Sequence, residues 1–353
     1  MMDQIRVGFV GLGANARLHH VPRLRGCENV EIVGVCNRRP KSTRAAADEF
    51  AISKTYQRWE ELLNDRDIDA IVVGTWPYLH CPITLAALEA GKHVLTEARM
   101  ARNADEARQM FAASQQHPEL IAQIVPSPIG LVVDRVVKKL IADGFIGELR
   151  EAVVLGTNDA AADPDAPLHW RQSVSLSGIN MLSLGILHET LIRWIPDPVR
   201  VLAQTHTFTT QRHDTTTGQP AEVGTPDAVR VLTEIPGGAI GLYHLSGVMR
   251  HGPGIQIQLY GSEGTLKYEF TPAERLLGAR TGDEKLKVIE IPSDMTGGWR
   301  VEEEFINAIR GIEKVQFTDF ATGVRYMQFT EAVAHSAAAG ALTDVSGAPG
   351  TSP

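Results

Sequence analysis

The stretch Ile5-Arg6-Val7-Gly8-Phe9-Val10-Gly11-Leu12-Gly13-Ala14-Asn15-Ala16 sets a short apolar run directly before a G-x-G-x-x-A pattern, and this order restricts the fold more than any other feature. A run of this kind is a parallel strand buried on both faces. Gly11 permits the tight turn, Gly13 lets a pyrophosphate approach the backbone, and Ala16 lets the next helix pack closely on the strand. The N-terminus of that helix turns its positive end toward the phosphates. The pattern predicts a Rossmann domain in which Gly11, Leu12, Gly13, Asn15 and Ala16 form the cofactor turn.

The following residues repeat the grammar. Val30–Cys36, Ala70–Thr75, His93–Leu95 and Leu120–Val125 read as buried strands. Helices are expected over 14–24, 42–50, 59–63, 82–90 and 103–114, the last capped by Asn103. Strands alternating with helices give an α/β fold with a doubly wound parallel sheet over 1–126.

The pattern changes after Pro126-Ser127-Pro128. An amphipathic helix over 131–143 and a second helix over 178–194 accompany long strands at 149–156, 199–208, 228–235, 239–248 and a hairpin over 255–270. Helices over 301–311 and 320–340 follow. This half, 127–341, reads as an α+β domain with a large, mostly antiparallel open sheet. Residues 209–225, rich in Thr, Gly and Pro, read as a loop, and 342–353 as a disordered tail.

The 353 residues suit two domains. A formal charge of −8 argues against nucleic acid as partner. No apolar run reaches membrane-spanning length. Met1-Met2-Asp3-Gln4 leads straight toward a strand without a signal-peptide pattern, so a cytoplasmic location is expected. Cys27, Cys36 and Cys81 show no disulfide or metal spacing, and the histidines form no H-x-x-x-H, so no metal site is expected.

The second strand ends in Cys36-Asn37-Arg38-Arg39. An acidic residue at Asn37 would bind the ribose hydroxyls of NAD. Asn37 repels no 2′-phosphate, and Arg38 and Arg39 are suited to pair with one, which favours NADP(H) over NAD(H). A solvated basic loop, with Arg38 stacked on adenine, is the other reading of the same residues.

Further along stand Thr75-Trp76-Pro77-Tyr78-Leu79-His80, Ala86-Ala87-Leu88-Glu89-Ala90-Gly91-Lys92-His93-Val94-Leu95, Gly144-Phe145-Ile146-Gly147-Glu148, Trp170-Arg171 and Tyr260-Gly261-Ser262-Glu263-Gly264. With the glycine motif, these make a chain that resembles the glucose–fructose oxidoreductase/inositol dehydrogenase/MocA family over nearly its whole length. The resemblance implies NAD(P)-dependent hydride transfer at a hydroxyl carbon of a sugar, polyol or related small molecule. It also implies a homodimer or homotetramer built through the C-terminal sheet. Thr75, Trp76, His80, Glu97 and Ala98 then fall on the cofactor side. Trp170 and Arg171 fall at the substrate.

Two departures stand out. The family's E-K-P lysine, which transfers the proton, is replaced in Glu97-Ala98-Arg99 by Ala98, and Arg99 stays charged near neutrality. The family's D-x-G-x-H-x-x-D becomes Ser183-Leu184-Gly185-Ile186-Leu187-His188-Glu189-Thr190. Histidine arrives one residue late, a rotation of about 100 degrees on a helix. His188 is the candidate base, a packing histidine the alternative. Asn180 and Ser183, three apart, are read as sharing a helix face and reaching a substrate hydroxyl or carbonyl. The reading is an NAD(P)-dependent oxidoreductase with a non-standard site. The alternatives are a redox-neutral lyase, hydrolase or epimerase that retains its nucleotide, and a non-catalytic nucleotide or metabolite sensor.

Overall fold

The computed structural model describes residues 4–345, which divide into two compact units. The first comprises Met1–Pro126 with Arg300–Val324, the second Ser127–Trp299 with Arg325–Pro353.

In the first unit the chain runs β1 (Ile5–Val10), α1 (Val21–Gly26), β2 (Val30–Cys36), α2 (Pro40–Glu49), β3 (Lys54–Thr55), α3 (Trp59–Leu63), β4 (Ala70–Val73), α4 (His80–Glu89), β5 (His93–Thr96), α5 (Ala104–Gln116) and β6 (Ala122–Ile124). A π-helical turn, Ala16–His20, leads into α1. The six strands are parallel in the order β3-β2-β1-β4-β5-β6. The order reverses between β1 and β4, where an open α/β sheet leaves a crevice at its carboxyl edge. Ala70 to Val73 are all fully buried, as a strand covered on both faces requires. Asn103 caps α5 as expected, its side chain accepting from Glu106 N at 2.8 Å.

The second unit begins with α6 (Asp134–Ala142), β7 (Leu149–Thr157), the single turn α7 (Val174–Ser177) and α8 (Leu184–Leu191). There follow β8 (Arg200–His206), β9 (Gln211–Asp214), β10 (Gln219–Glu222), β11 (Ala228–Glu234), β12 (Ile240–Ser246), β13 (Ile255–Gly261), β14 (Gly264–Glu269), β15 (Arg275–Arg280) and β16 (Lys287–Val288). Then α9 (Val301–Ile309) returns to the first unit. The chain closes with α10 (Phe320–Ala339) and β17 (Thr343–Asp344). The nine-stranded sheet has the order β16-β15-β14-β13-β7-β12-β11-β8-β17 and is antiparallel except where β12 pairs with β7. Alternation along β11 buries Val229 and Val231 and exposes Leu232. The inner face packs Val154, Tyr243 and Leu245 with Leu187 of α8 and Phe329 of α10. The outer face shows Leu202, Leu232, Ile240 and Leu242 to solvent.

Four expectations change. The domain expected to run unbroken over 127–341 yields residues 300–324 to the first unit. There Ile124 and Thr318 exchange backbone hydrogen bonds, and Gln123 Nε2 donates to Glu304 Oε1 at 2.8 Å. The helix expected over 178–194 starts only at Leu184, because Gly178 and Leu182 adopt φ of 66° and 58°. The loop expected over 209–225 contains the β9–β10 hairpin, whose turn Asp214 fastens by accepting from Thr216 N at 2.8 Å. Of the expected tail, Thr343 and Asp344 pair with β8 and Val345 is buried. Residues 346–353 lie outside the described residues. Among the described residues no helix is long and apolar enough to cross a membrane, and no cluster of His, Cys, Asp and Glu is arranged to hold a metal.

Candidate functional site

The turn after β1 has the geometry its glycines require. Gly11 has φ of 86°, and a Cβ there would lie 2.8 Å from Thr75 N. A Cβ at Gly13 would meet nothing nearer than Gly74 O at 3.9 Å, so this position opens onto free space. Ala16 packs beneath, 3.8 Å from where a Cβ of Gly74 would stand. Along this turn runs a cavity of ≈ 600 Å³, lined by Gly11, Leu12, Gly13, Asn37, Arg38 and Trp76 among others. An open glycine facing a cavity at the carboxyl edge of the sheet suits a dinucleotide pyrophosphate.

Asn37 is committed to the turn itself. Its Oδ1 accepts from Leu12 N at 2.7 Å and its Nδ2 donates to Ser42 O at 3.1 Å. A carboxylate could accept the first bond but would repel the Ser42 carbonyl, so the local geometry selects Asn over Asp. No carboxylate stands at this position. Arg38 lines the cavity with its guanidinium 5.8 Å from the Trp76 ring centroid. Arg39 stands at the start of α2, where its carbonyl accepts from Ser42 Oγ at 2.8 Å. The cavity wall contains Arg58 in its place, together with Gln57 and Tyr78. Sequence reading missed Arg58, which directly precedes the short helix α3.

At the other end of the crevice, Thr75 lines the cavity and Glu97 follows β5. Glu97 N donates to Val73 O at 3.0 Å. Glu97 Oε1 accepts from Asn15 Nδ2 at 2.5 Å and lies 3.0 Å from His20 Nε2. His20 Nδ1 lies 2.6 Å from Glu302 Oε1, on α9. His20 and Glu302 are buried, while the Glu97 side chain keeps 15% exposure. Burial opposes a charge on His20, but Glu302 and Glu97 outweigh it and push the pKa up to about 9. Burial likewise opposes ionisation of Glu97, and its bond to His20 nevertheless holds it below the usual carboxylate range. His20 is therefore held as an imidazolium between Glu97 and Glu302. Sequence reading named Asn15 and Glu97 but neither His20 nor Glu302. No local pattern could join His20 to a residue 282 positions later.

His80, expected at the cofactor, is fully buried and outside the cavity wall. Its Nδ1 lies 2.8 Å from Arg99 O and its Nε2 3.0 Å from Thr75 O, so it ties the loop after β4 to the loop after β5. Burial lowers its pKa. Ala98 stands between Glu97 and Arg99 with no group to move a proton.

In the second unit the expected base is displaced inward. His188 is 0% exposed, stacked on Phe329 with centroids 3.6 Å apart, and its Nδ1 is 2.7 Å from the Tyr243 hydroxyl. Burial, with Arg325 nearby, holds its pKa well below the usual histidine value. This imidazole is a neutral core group. Asn180 precedes α8 and shares no helical face with Ser183. It is buried, and its Nδ2 donates to Arg171 O at 2.8 Å. Ser183 stands at the head of α8, over Gly156 of β7, where a Cβ would come 2.9 Å from its Oγ. Arg171 is exposed, 4.4 Å from the Trp170 ring centroid. The structure thus brings Asn180 to Arg171 and leaves His188 apart in the core.

Residues 5–123 match the family model described as "Oxidoreductase family, NAD-binding Rossmann fold", and 135–267 match the GFO/IDH/MocA C-terminal domain. The chain is 24% identical over 263 residues to levoglucosan dehydrogenase of Pseudarthrobacter phenanthrenivorans, covering 69% of this chain and 66% of that protein, just under two thirds. It is 28% identical over 249 residues to trans-1,2-dihydrobenzene-1,2-diol dehydrogenase of Mus musculus, covering 69% and 68%. Among solved structures, an oxidoreductase domain protein from Kribbella flavida superposes with a TM-score of 0.87 at 23% identity, covering 98% of this chain and 100% of that one. Levoglucosan dehydrogenase in complex with NADH and L-sorbose superposes at 0.84 with 22% identity, covering 97% and 99%. These last two are likenesses of fold.

Proposed function

Because the chain belongs to the GFO/IDH/MocA oxidoreductase family, we propose that it transfers a hydride between a nicotinamide dinucleotide and a hydroxyl-bearing carbon of a sugar, polyol or related small molecule. The observation that carries this reading is the open Gly13 turn facing the ≈ 600 Å³ cavity. The nucleotide, when bound, supplies the hydride acceptor or donor. The chain's part is to seat and orient it. The backbone at Gly11 and Gly13 would hold the pyrophosphate, with Trp76 and Arg38 in the wall of the same cavity. Sugar-type chemistry is favoured by the levoglucosan dehydrogenase relative.

NADP(H) is the favoured nucleotide. Asn37 spends its amide on Leu12 and Ser42, while Arg38 and Arg58 line the cavity with positive charge suited to a 2′-phosphate. Substrate contacts are assigned to Trp170 and Arg171, with Ser183 near them in role. Proton transfer is not assigned to His188, whose imidazole packs in the core. The partner is a second copy or more of this chain, joined through the outer sheet face that carries Leu202, Leu232, Ile240 and Leu242.

Titration with NADPH and NADH tests the reading. Wild type should prefer NADPH, and Arg38→Ala should weaken NADPH about ten-fold, the size of one charge-assisted contact, with NADH nearly unchanged. Equal loss for both would reduce Arg38 to a stacking residue, and no binding of either would overturn the cofactor site. A second reading, a nucleotide-binding protein without turnover, draws on Ala98 and the buried His188. Tight nucleotide binding without oxidation or reduction of any polyol or sugar tested would favour it.

A further inference from the structure

The cavity along the glycine turn is unevenly charged. Arg17, Arg38 and Arg58 line it, and Glu60 is the one carboxylate in its wall among the described residues. The three cations differ in their engagements. Arg17 is ion-paired with Glu49, and its guanidinium lies 5.5 Å from the Phe50 ring centroid. Arg38 lies over Trp76. Arg58 Nε stands 3.6 Å from Glu60 Oε2, beyond hydrogen-bond distance. The two side chains are 69% and 43% exposed, so the pair is loose and each member is open to exchange with a ligand.

Glu60 and Glu61 share the first turn of α3, yet only one faces the cavity. Glu61 is committed to the start of the helix: its Oε2 accepts from Gln57 N at 3.2 Å and from Arg58 N at 3.4 Å. The Glu60 carboxylate makes no such bond among the described residues and keeps Arg58 as its ion-pair partner. Its charge also reaches the end of β2. Cys36, the last residue of that strand, lines the same cavity. Burial, and after it the charges of Glu60 and Glu61, push the Cys36 thiol up to about 11. Cys36 directly precedes Asn37, the position at which an NAD site carries its acid. The acid missing from position 37 is thus offset by one that reaches the same strand end from α3.

We infer that Glu60 is a specificity-determining residue of the nucleotide site: its carboxylate opposes a 2′-phosphate and offsets Arg58, which lowers the preference for NADP(H) over NAD(H). A 2′-phosphate carries nearly two negative charges near neutrality. It gains from Arg38 and Arg58 and loses to Glu60. A 2′-hydroxyl is uncharged and can donate to a carboxylate. The inference rests on the cofactor reading given above, and its test separates the two.

The experiment is fluorescence titration of wild type, Glu60→Gln and Glu60→Lys with NADPH and with NADH. The quantity read is the Kd of NADH divided by the Kd of NADPH. Glu60→Gln should raise that ratio about five-fold through tighter NADPH, the effect of one unit charge on a phosphate across a solvated surface. Glu60→Lys reverses the charge and should raise it further, about twenty-fold. Both rises should shrink in about 0.5 M salt, as screening requires. A ratio that stays at the wild-type value or falls in Glu60→Gln overturns the inference. So does an equal change in both Kd values, which would reduce Glu60 to a support for the start of α3. Melting temperatures establish that the variants are folded, and if Glu60→Lys is not, the Glu60→Gln ratio decides alone. Failure of wild type to bind either nucleotide overturns the cofactor reading itself, and the inference with it.

Discussion

Two of the fully buried histidines, His20 and His188, differ in charge. His20 in the first unit lies between Glu97 and Glu302 and is held protonated, with its pKa up to about 9. His188 in the second unit is stacked on Phe329 beside the Tyr243 hydroxyl, and burial holds it neutral. Burial penalises the charged form in both. The difference lies in what stands within hydrogen-bond distance: carboxylates on both sides of one ring, a phenol and a benzene ring around the other. The nearest carboxylate oxygen to His188, on Asp197, is 3.8 Å away, and Asp197 is engaged by Arg325. A buried histidine is thus no single kind of object, and neither exposure nor sequence position says which kind it is.

If His188 is a packing group, its neighbours should matter as core residues do. Phe329→Ala should cost about 4 kcal/mol of stability, since it removes a large buried side chain, as measured by urea denaturation. A loss under 1 kcal/mol would mean that the His188 ring has another support. If His20 is an ion held by its partners, His20→Gln should cost about 3 kcal/mol near pH 7, the penalty for leaving buried carboxylates without their cation. A neutral result would place His20 in the same class as His188.

The two rings should also respond to pH in opposite directions. For His20 the folded pKa is raised, so its contribution is complete below about 6.5 and is lost as pH rises through about 9. The stability gap between wild type and His20→Gln should therefore narrow on the alkaline side, by about 1.4 kcal/mol per pH unit at most. For His188 the folded pKa is depressed, so its contribution is present above about 6.5 and is lost as pH falls below that value. A His188→Gln variant should lose less stability than wild type between pH 7 and pH 5. Denaturation curves from pH 5 to about pH 9 check both signs, and a shared direction would refute the contrast. The smallest effect is expected from Tyr243→Phe, about 1 kcal/mol for one buried hydrogen bond to a neutral ring.

What the sequence disclosed follows the range of the forces involved. The β1 turn was legible because its constraint is local: Gly11 at φ of 86° and the open Gly13 lie within a few residues of the strand they end. The alternation of strand and helix that gives the six-stranded sheet is local as well. Asn180 falls inside the helix expected over 178–194, three residues before Ser183. The left-handed backbone at Gly178 and Leu182 delays the helix to Leu184, and for leucine that conformation is set by its surroundings. His188 was read as a base because Leu187 occupied the expected position. The rotation of one residue sends its ring toward Tyr243 and Phe329, which lie on β12 and α10, far along the chain. Asn37 was read correctly as lacking a carboxylate, but its bonds to Leu12 and Ser42 became visible only with the turn in three dimensions. The partner of His20 was beyond any local pattern.

The return of residues 300–324 to the first unit bears on how the protein is made. Translation delivers the whole parallel sheet before α9 exists. During that interval His20 lacks Glu302, and Gln123 lacks both Glu304 and the Phe317 carbonyl to which it donates at 2.6 Å. The nascent Rossmann sheet must hold these buried polar groups open to water until nearly the entire second unit has left the ribosome. Completion of the hydrogen bonds around His20 and Gln123 is thereby deferred to the last stage of synthesis, and a ribosome stalled before α9 releases a chain in which both lack these partners.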